Sequence, residues 1–147
     1  MKIINPFYLL LFALTILGCS KDLKIQQQEE AVLIPVHVFI VNYQPGSIAT
    51  VAPYVTPHFR RQQSRLEWIA HVEGMLESFG YERLDSEVTD LAFDGEMAVV
   101  TAQTKISTIF GKVAQKEVFR VVLDSDGWKI DGLQIVDEVI EQPKIEM

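Results

Sequence analysis

The chain has 147 residues, of which 20 are acidic and 13 are lysine or arginine, so its formal net charge at pH 7 is −7. This acidic balance argues against nucleic-acid binding, which needs clustered basic side chains to replace phosphate counterions. The length suits one domain with its own core, and a single cysteine excludes an intramolecular disulfide.

The first segment of the chain has the layout of an export signal. Lys2 precedes an apolar run from Phe7 to Leu17, and the run closes on Gly18, Cys19 and Ser20. This run is too short for a membrane-crossing helix, which needs about 20 apolar residues. A positive end, a short apolar middle and small closing residues are typical of a signal peptide that is later removed.

The stretch Ile16-Leu17-Gly18-Cys19 resembles the lipobox of bacterial lipoproteins. The resemblance implies cleavage between Gly18 and Cys19 and a diacylglyceryl group on Cys19, with further fatty acid such as palmitate making the anchor stable. It places the mature protein in the cell envelope outside the cytoplasm, at the outer membrane facing the periplasm if the organism has one. The alternative is ordinary cleavage after Ser20, which would release a protein without cysteine.

These patterns divide the chain into four parts. Residues 1–18 are the signal peptide, 19–29 the lipidated cysteine with a polar, glutamine-rich tether, 30–141 the folded domain and 142–147 a tail. We expect the tether to be either a solvated coil or the first turn of a helix.

Three helices are predicted in the first half of the domain. The first covers Glu30 to Tyr43, with Pro35 in its first turn, although alternating valines make a strand the alternative. A short helix follows Ser47 and continues to Ala52. The third begins at Thr56 and Pro57, with a bend near residues 62–64, and ends before Gly80. Its predicted buried stripe is Phe59, Leu66, Ile69, Val72, Leu76 and Phe79.

Basic side chains are densest at Arg60, Arg61 and Arg65. We interpret these arginines as one solvated face of the third helix, and an anion-binding site is the alternative.

After Tyr81 the hydrophobic period changes to the alternation typical of strands. We predict four antiparallel strands, over residues 84–93, 96–107, 113–124 and 128–139. Type I′ hairpin turns are predicted at Asp94-Gly95 and at Asp126-Gly127. Phe119, Val121 and Leu123 should face one way and Arg120 the other. Leu84 and Val88 are out of phase with Leu91 and Phe93, which predicts a bulge.

Helices followed by a meander of long strands, with Gly127-Trp128-Lys129-Ile130 after a turn, resemble the nuclear transport factor 2-like (NTF2-like) superfamily, also called SnoaL-like or cystatin-like cones. The resemblance covers residues 30–140. It implies an α+β fold in which a curved four-stranded antiparallel sheet wraps around the helices and leaves a cone-shaped pocket. A two-layer α/β sandwich and a lipocalin-like barrel are the alternatives. No catalytic residue is carried over, because no catalytic signature of the family aligns here.

Four aromatic residues and one histidine are candidates for lining the pocket. Rings with a polar edge suit partly wet cavities, although core packing is their commoner use. His71 lies one turn from Trp68, beside the acid Glu67, so either the cone mouth or a solvated helix edge suits it. The candidates are Tyr54, Trp68, His71, Tyr81 and Trp128.

No metal site or cofactor is predicted, because His37, His58 and His71 are too widely spaced for a local metal motif. Ile109-Phe110-Gly111 is predicted at a hairpin tip, either exposed for a partner or folded inward.

The sequence therefore favours a lipid-anchored cell-envelope protein whose domain binds a partner protein or a small apolar ligand without turnover. Homodimerisation through the outer face of the sheet is a further expectation. One alternative is an isomerase- or dehydratase-type enzyme, which would need an ionisable group with a perturbed pKa in the pocket. Another is a structural subunit of an envelope complex.

Overall fold

The computed structural model describes the backbone of residues 6–141 and the side chains of residues 21–141. The predicted cleavage and lipidation at Gly18 and Cys19 therefore concern side chains outside the described set, and the tail 142–147 lies outside it entirely. The described part divides into two compact units, and the boundary between them falls between Ala31 and Val32 in the sequence.

Helix α1 spans Pro6–Asn42, so residues 20–30 are helical and the strand alternative for residues 30–43 is wrong. Pro35 lies inside this helix, not in its first turn as predicted, and its ring has no N–H to offer the carbonyl one turn earlier. The ring is fully buried, so packing offsets part of that loss. Within the described part of the chain, no helix has both the length and the apolar content needed to cross a membrane.

The predicted short helix is confirmed as α2, Ile48–Val51, which continues into a 3-10 turn over Ala52–Tyr54. Ser47 makes no side-chain cap. The carboxylate of Glu73 caps α2 instead, since it accepts hydrogen bonds from the backbone N–H groups of Gly46 at 2.7 Å and Ile48 at 3.1 Å. A negative charge is favourable at a helix N-terminus, so this contact fixes α2 to the following helix.

The predicted helix start at Thr56 is wrong. The Thr56 hydroxyl accepts a hydrogen bond from the Phe59 N–H at 3.1 Å, but the turn is not continued, since Arg61 and Gln62 have φ of 52° and 63°. Helix α3 is Arg65–Ser78, and it begins with a capping box between Ser64 and Glu67. Two reciprocal hydrogen bonds are a stronger start signal than one threonine before a proline.

The later start changes which side chains of α3 are buried. Trp68, Val72 and Leu76, spaced four residues apart, face the core. Leu66 is 80% exposed and Phe79 is 44% exposed, so both were wrongly assigned to the buried stripe.

Arg60 does not belong to a solvated face, as the sequence had suggested. Its side chain is buried, and its guanidinium donates to the carbonyl of Val55 at 2.9 Å and to that of Gln63 at 3.3 Å. Arg61 and Arg65 are exposed. Arg60 therefore holds together the irregular segment before α3.

Four antiparallel strands are confirmed, and they pair in the order β1-β2-β3-β4. Their bounds are Glu82–Asp94, Met97–Thr108, Gly111–Asp124 and Gly127–Glu141. The first and last strands do not pair with each other, so the sheet is open and the barrel alternative is wrong.

The hairpin turns differ from the predicted type I′. The β1–β2 turn consists of Gly95 and Glu96, and only the glycine has positive φ, at 62°. The β3–β4 turn is Ser125-Asp126, neither of which has positive φ, and Gly127 follows it at φ 117°. Each two-residue loop is therefore shifted by one position from the predicted one. Gly95 is the first loop residue and not the second, and Gly127 follows its loop instead of ending it.

The bulge in β1 is confirmed, with register shifts between Arg83 and Asp85 and between Val88 and Asp90. The alternation in β3 is confirmed as well. Phe119 and Val121 are fully buried while Arg120 is exposed, although Leu123 is 45% exposed near the end of the strand.

One face of the sheet is covered by α2, α3 and the part of α1 from Val32 onwards, and the core lies between them. A backbone bridge between Val55 and Ile130 fixes the 3-10 turn to β4. The α+β fold class is therefore as predicted. The core residues are Val32, Val36, Phe39, Ile48, Val51, Ala52, Val55, Trp68, Val72, Leu76, Ala98, Val100, Ala102, Phe119, Val121 and Ile130.

Candidate ligand-binding cavity

A cavity of about 320 Å³ lies between the sheet, α3 and the last turns of α1. Apolar and aromatic side chains form most of its wall. Its lining is Phe39, Tyr43, Met75, Leu76, Phe79, Tyr81, Arg83, Ile106, Thr108, Gln115, Glu117, Leu133 and Ile135.

An ion pair between Arg83 of β1 and Glu117 of β3 forms the polar floor of this cavity. The guanidinium binds both carboxylate oxygens, with Nη2 to Oε2 at 2.7 Å and Nη1 to Oε1 at 3.1 Å. The side chains are 5% and 1% exposed. This bidentate geometry is the strong form of a charge-assisted hydrogen bond.

The Glu117 carboxylate has no acceptor capacity to spare. Besides the two contacts from Arg83, Oε2 accepts from the Thr104 hydroxyl at 3.0 Å and Oε1 from the Gln115 amide at 2.9 Å. Two oxygens offer about four acceptor positions, so all of them are used.

Arg83 is held by further contacts, since it donates to the hydroxyls of Tyr81 at 3.0 Å, Ser86 at 3.1 Å and Thr104 at 3.2 Å. Its guanidinium also lies 5.8 Å from the centre of the Phe39 ring. Among the described residues its Nε has no hydrogen-bond partner. Burial alone would lower the pKa of Arg83, but the bonds and charge of Glu117 outweigh it and raise that pKa. Arg83 is therefore fixed as a cation.

Tyr43 and Tyr81 lie side by side in the cavity wall, with their rings edge to face at 6.1 Å. Burial raises the pKa of the Tyr43 hydroxyl to about 12, with Tyr81 and Glu117 adding to the rise. Burial also raises the pKa of Tyr81. Both phenols stay protonated at neutral pH and can donate hydrogen bonds into the cavity.

Of the five residues predicted for the pocket, Tyr81 lines this cavity and the other four lie elsewhere. Trp68 packs in the core, edge to face with Phe59 at 6.1 Å. Trp128 is half-buried against Phe93. His71 is exposed on α3, and Tyr54 is half-buried in the 3-10 turn.

The polar floor was not predicted from the sequence. The sequence nevertheless contained a sign of this network. Side chains two residues apart in a strand face the same way, and Ala102 and Phe119, which face the core, lie two residues from Thr104 and Glu117; Gln115 lies two residues before Glu117. A polar residue at an inward position of an alternating strand is the unusual case, and it marks a buried network.

The mouth of the cavity is apolar. Met75, Phe79 and Ile135 line it and are each more than a third exposed. Next to Phe79 lies the tip of the β2–β3 hairpin, where Ile109 is 66% and Phe110 is 76% exposed, and the Phe110 ring is 6.2 Å from that of Phe79. The hairpin-tip prediction is confirmed in its exposed form.

A second polar cluster surrounds Asp131 of β4. Its carboxylate accepts from the Thr56 hydroxyl and from Arg120, each at 2.6 Å, and the exposed His58 ring nitrogen lies 3.4 Å away. Burial alone would raise the pKa of Asp131, but the Thr56 bond and the charges of Arg120 and His58 lower it. This cluster ties the segment before α3 to the sheet.

We expect Asp131→Asn to lower the free energy of unfolding by about 1 kcal/mol at pH 7, since a hydrogen-bonded carboxylate is lost. Because the folded-state pKa is lowered, the contribution is present above the unfolded pKa of about 4 and is lost as pH falls through the folded value. Urea unfolding from pH 7 to pH 2.5 should show the two proteins converging in acid. A gap that stays constant would contradict the assignment.

In the part of the chain with described side chains, no three histidine, cysteine or acidic residues are grouped to hold a metal ion.

Comparison with known proteins gives a match at the level of fold. No family model matches the chain, and no curated protein does. Among solved structures, a Nostoc punctiforme domain of unknown function with a cystatin-like fold has a TM-score of 0.57 and 16% identity, covering 80% of each chain. A proposed dehydratase of the NTF2-like family from Streptomyces avermitilis has a TM-score of 0.51 and 15% identity, covering 75% of this chain and 95% of that one.

Bd1075 from Bdellovibrio bacteriovorus is also similar, with a TM-score of 0.51 and 9% identity over 68% of this chain. The present chain spans only 37% of the Bd1075 chain. Identities this low carry information about architecture and none about chemistry. Together with the helices packed on an open four-stranded antiparallel sheet, these matches show that the chain has the NTF2-like, or cystatin-like, fold.

Proposed function

We propose that the domain binds a small, mostly apolar ligand in the cavity floored by Arg83 and Glu117, and that it does so without turnover. The supporting observation is a cavity of about 320 Å³ with an apolar mouth and wall, in which the one carboxylate of the described lining is already fully hydrogen-bonded. Concave, mainly apolar sites with a few convergent polar groups are the usual form of small-ligand pockets.

The bonding of Glu117 argues against acid–base catalysis. A general base must accept a proton from the substrate within hydrogen-bond distance. Both Glu117 oxygens instead accept from Arg83 and from a neutral partner, Gln115 or Thr104. Freeing an oxygen would leave Arg83 with an unsatisfied buried charge, which costs several kcal/mol.

An isomerase- or dehydratase-type enzyme is the second candidate. The observation in its favour is an acid and two tyrosines in one cavity, namely Glu117, Tyr43 and Tyr81. The two candidate functions predict different results in an activity assay, because only an enzyme would convert a bound carbonyl or alcohol substrate to product.

Blocking the cavity mouth is the direct test of binding. Ile135 lines the mouth, and replacing it with tryptophan should place an indole across the opening. We expect Ile135→Trp to weaken binding of the uncharged fluorescent probe N-phenyl-1-naphthylamine to the full-length protein by about tenfold or more, as lost apolar contact of a few kcal/mol implies.

Val139→Trp is the matched control. Val139 lies on the same strand, is 61% exposed and does not line the cavity, so its replacement should leave probe binding unchanged. Equal binding by wild type and both variants would contradict the proposal.

We further propose that the protein is anchored in the cell envelope through lipid on Cys19. The apolar run that ends at Gly18 and Cys19 supports this assignment. In this setting the domain would bind its ligand, or an envelope protein, outside the cytoplasm. Pairing of two copies through the outer sheet face and membership of an envelope complex are compatible with the same anchor.

Cys19→Ala tests the anchor. Two or more acyl chains hold a protein stably to a membrane, while loss of the thiol prevents their attachment. We expect the wild-type protein from the native host to enter the detergent phase in a two-phase extraction and the variant to enter the aqueous phase. Identical partitioning would contradict the anchor while leaving the cavity proposal intact.

A further inference from the structure

The polar groups that remain free in the cavity suit an oxygen-bearing ligand. The Tyr81 hydroxyl accepts from Arg83 at 3.0 Å, so its own proton is available. The Tyr43 hydroxyl has no hydrogen-bond partner among the described residues, and neither has the amide oxygen of Gln115, whose nitrogen donates to Glu117. A ligand oxygen that accepts from the two phenols would satisfy both, and a hydroxyl could also donate to Gln115.

The charge of the cavity is already balanced. Arg83 and Glu117 neutralise each other at 2.7 Å, and the described lining holds no other charged side chain. A carboxylate entering the cavity would lie near Glu117 without a free cation, and an ammonium would lie near Arg83 without a free anion. Burying an unpaired charge is costly, so either ion would be disfavoured.

Building on the proposed binding function, we infer that the cavity selects an uncharged ligand with an apolar body and one oxygen directed at Tyr43 and Tyr81. The Arg83–Glu117 pair acts as the selectivity element, since it removes free charge from the floor while leaving the phenols available. Fatty acids and other carboxylates are excluded, whereas ketones, esters and alcohols are accepted.

Three probes that share one ring system test this inference. Naphthalene has no oxygen, 2-acetylnaphthalene has an uncharged carbonyl, and 2-naphthoate has a carboxylate. With the full-length protein at pH 7, we expect the ketone to bind a few-fold more tightly than naphthalene and at least about tenfold more tightly than the naphthoate. Naphthoate binding equal to that of the ketone would overturn the inference and leave the proposed function standing.

Failure of both naphthalene and the ketone to bind would overturn the proposed function itself. Displacement of N-phenyl-1-naphthylamine reports which probes occupy the cavity, and Ile135→Trp should weaken binding of the naphthalene probes as it weakens binding of the dye.

Two variants locate the selectivity. Tyr43→Phe removes a phenol that has no bond to another described residue, so it should weaken ketone binding by about three- to tenfold and leave naphthalene unchanged. Tyr54→Phe, outside the cavity lining, is its control and should change neither. Glu117→Gln should release the charge of Arg83 and improve naphthoate binding relative to the ketone. Unchanged ketone affinity in Tyr43→Phe, or unchanged probe preference in a folded Glu117→Gln protein, would overturn the inference.

Discussion

Replacing Arg83 with methionine is expected to lower the free energy of unfolding by about 3–5 kcal/mol, which is the usual cost of breaking a buried ion pair from one side. The substitution leaves the Glu117 carboxylate 1% exposed without its cation. It also removes donors from the hydroxyls of Tyr81, Ser86 and Thr104. Urea unfolding at pH 7, followed by tryptophan fluorescence, measures the loss.

Two comparisons isolate the cause of that loss. The double variant Arg83→Met with Glu117→Leu should recover much of the lost stability, because no charge is then left buried. Lys116 lies next to Glu117 on β3 and forms a solvent-exposed ion pair with Asp137 of β4. Lys116→Ala removes this pair and should cost less than about 1 kcal/mol. A cost for Arg83→Met no larger than that for Lys116→Ala would contradict a central role for the buried pair.

Truncating Phe39 to alanine should destabilise the protein by a similar amount, about 3–5 kcal/mol. Phe39 is fully buried near the end of α1, stacked on Tyr43 at 4.3 Å and edge to face with Phe119 at 5.3 Å. Its removal leaves a cavity that the closely packed neighbouring side chains cannot fill. It also removes the ring beside the Arg83 guanidinium. Thermal and urea unfolding measure the effect.

Val41→Ala is the control for that variant. Val41 lies two residues further along α1 and is 65% exposed, so its truncation should change stability by about 0.5 kcal/mol or less. Comparable losses for the two variants would contradict a dominant role for the packing of Phe39 in the stability of the fold.

The sheet was the most predictable part of the fold, because its determinants are local. Alternation over residues 113–124 assigned Phe119 and Val121 to one face, and the phase change after Val88 indicated the bulge. Short turns leave antiparallel neighbours as the natural pairing, so the strand order followed from the hairpins.

The helices were less predictable, since competing caps and distant partners decided their ends. The predicted start was Thr56-Pro57, whereas the helix begins at the capping box of Ser64 and Glu67, which was not predicted. The cap of α2 comes from Glu73, which lies 25 residues after Ile48 in sequence. No local sequence pattern predicts a contact between residues so far apart in the chain.

Local chemistry therefore accounts for the order of the helices and strands, the antiparallel hairpins and the alternation that gives the sheet an apolar face. The period of the apolar side chains and the turn residues determine structure over a few positions, so they can be recognised in short segments of the sequence. Of the five residues predicted for the pocket, Tyr81 lines the cavity and the other four do not, because an amphipathic ring suits core packing as well as a cavity wall.

The cavity floor was decided by packing over long distances. Arg83 meets Glu117 across 34 residues and Thr104 across 21 because the register of three strands brings these positions together. The same register, with α3 and the end of α1 above it, encloses a volume that an alternating pattern cannot reveal. Strand pairing and the packing of helices on the sheet are properties of the assembled layers, and these polar groups become buried only once the layers have come together.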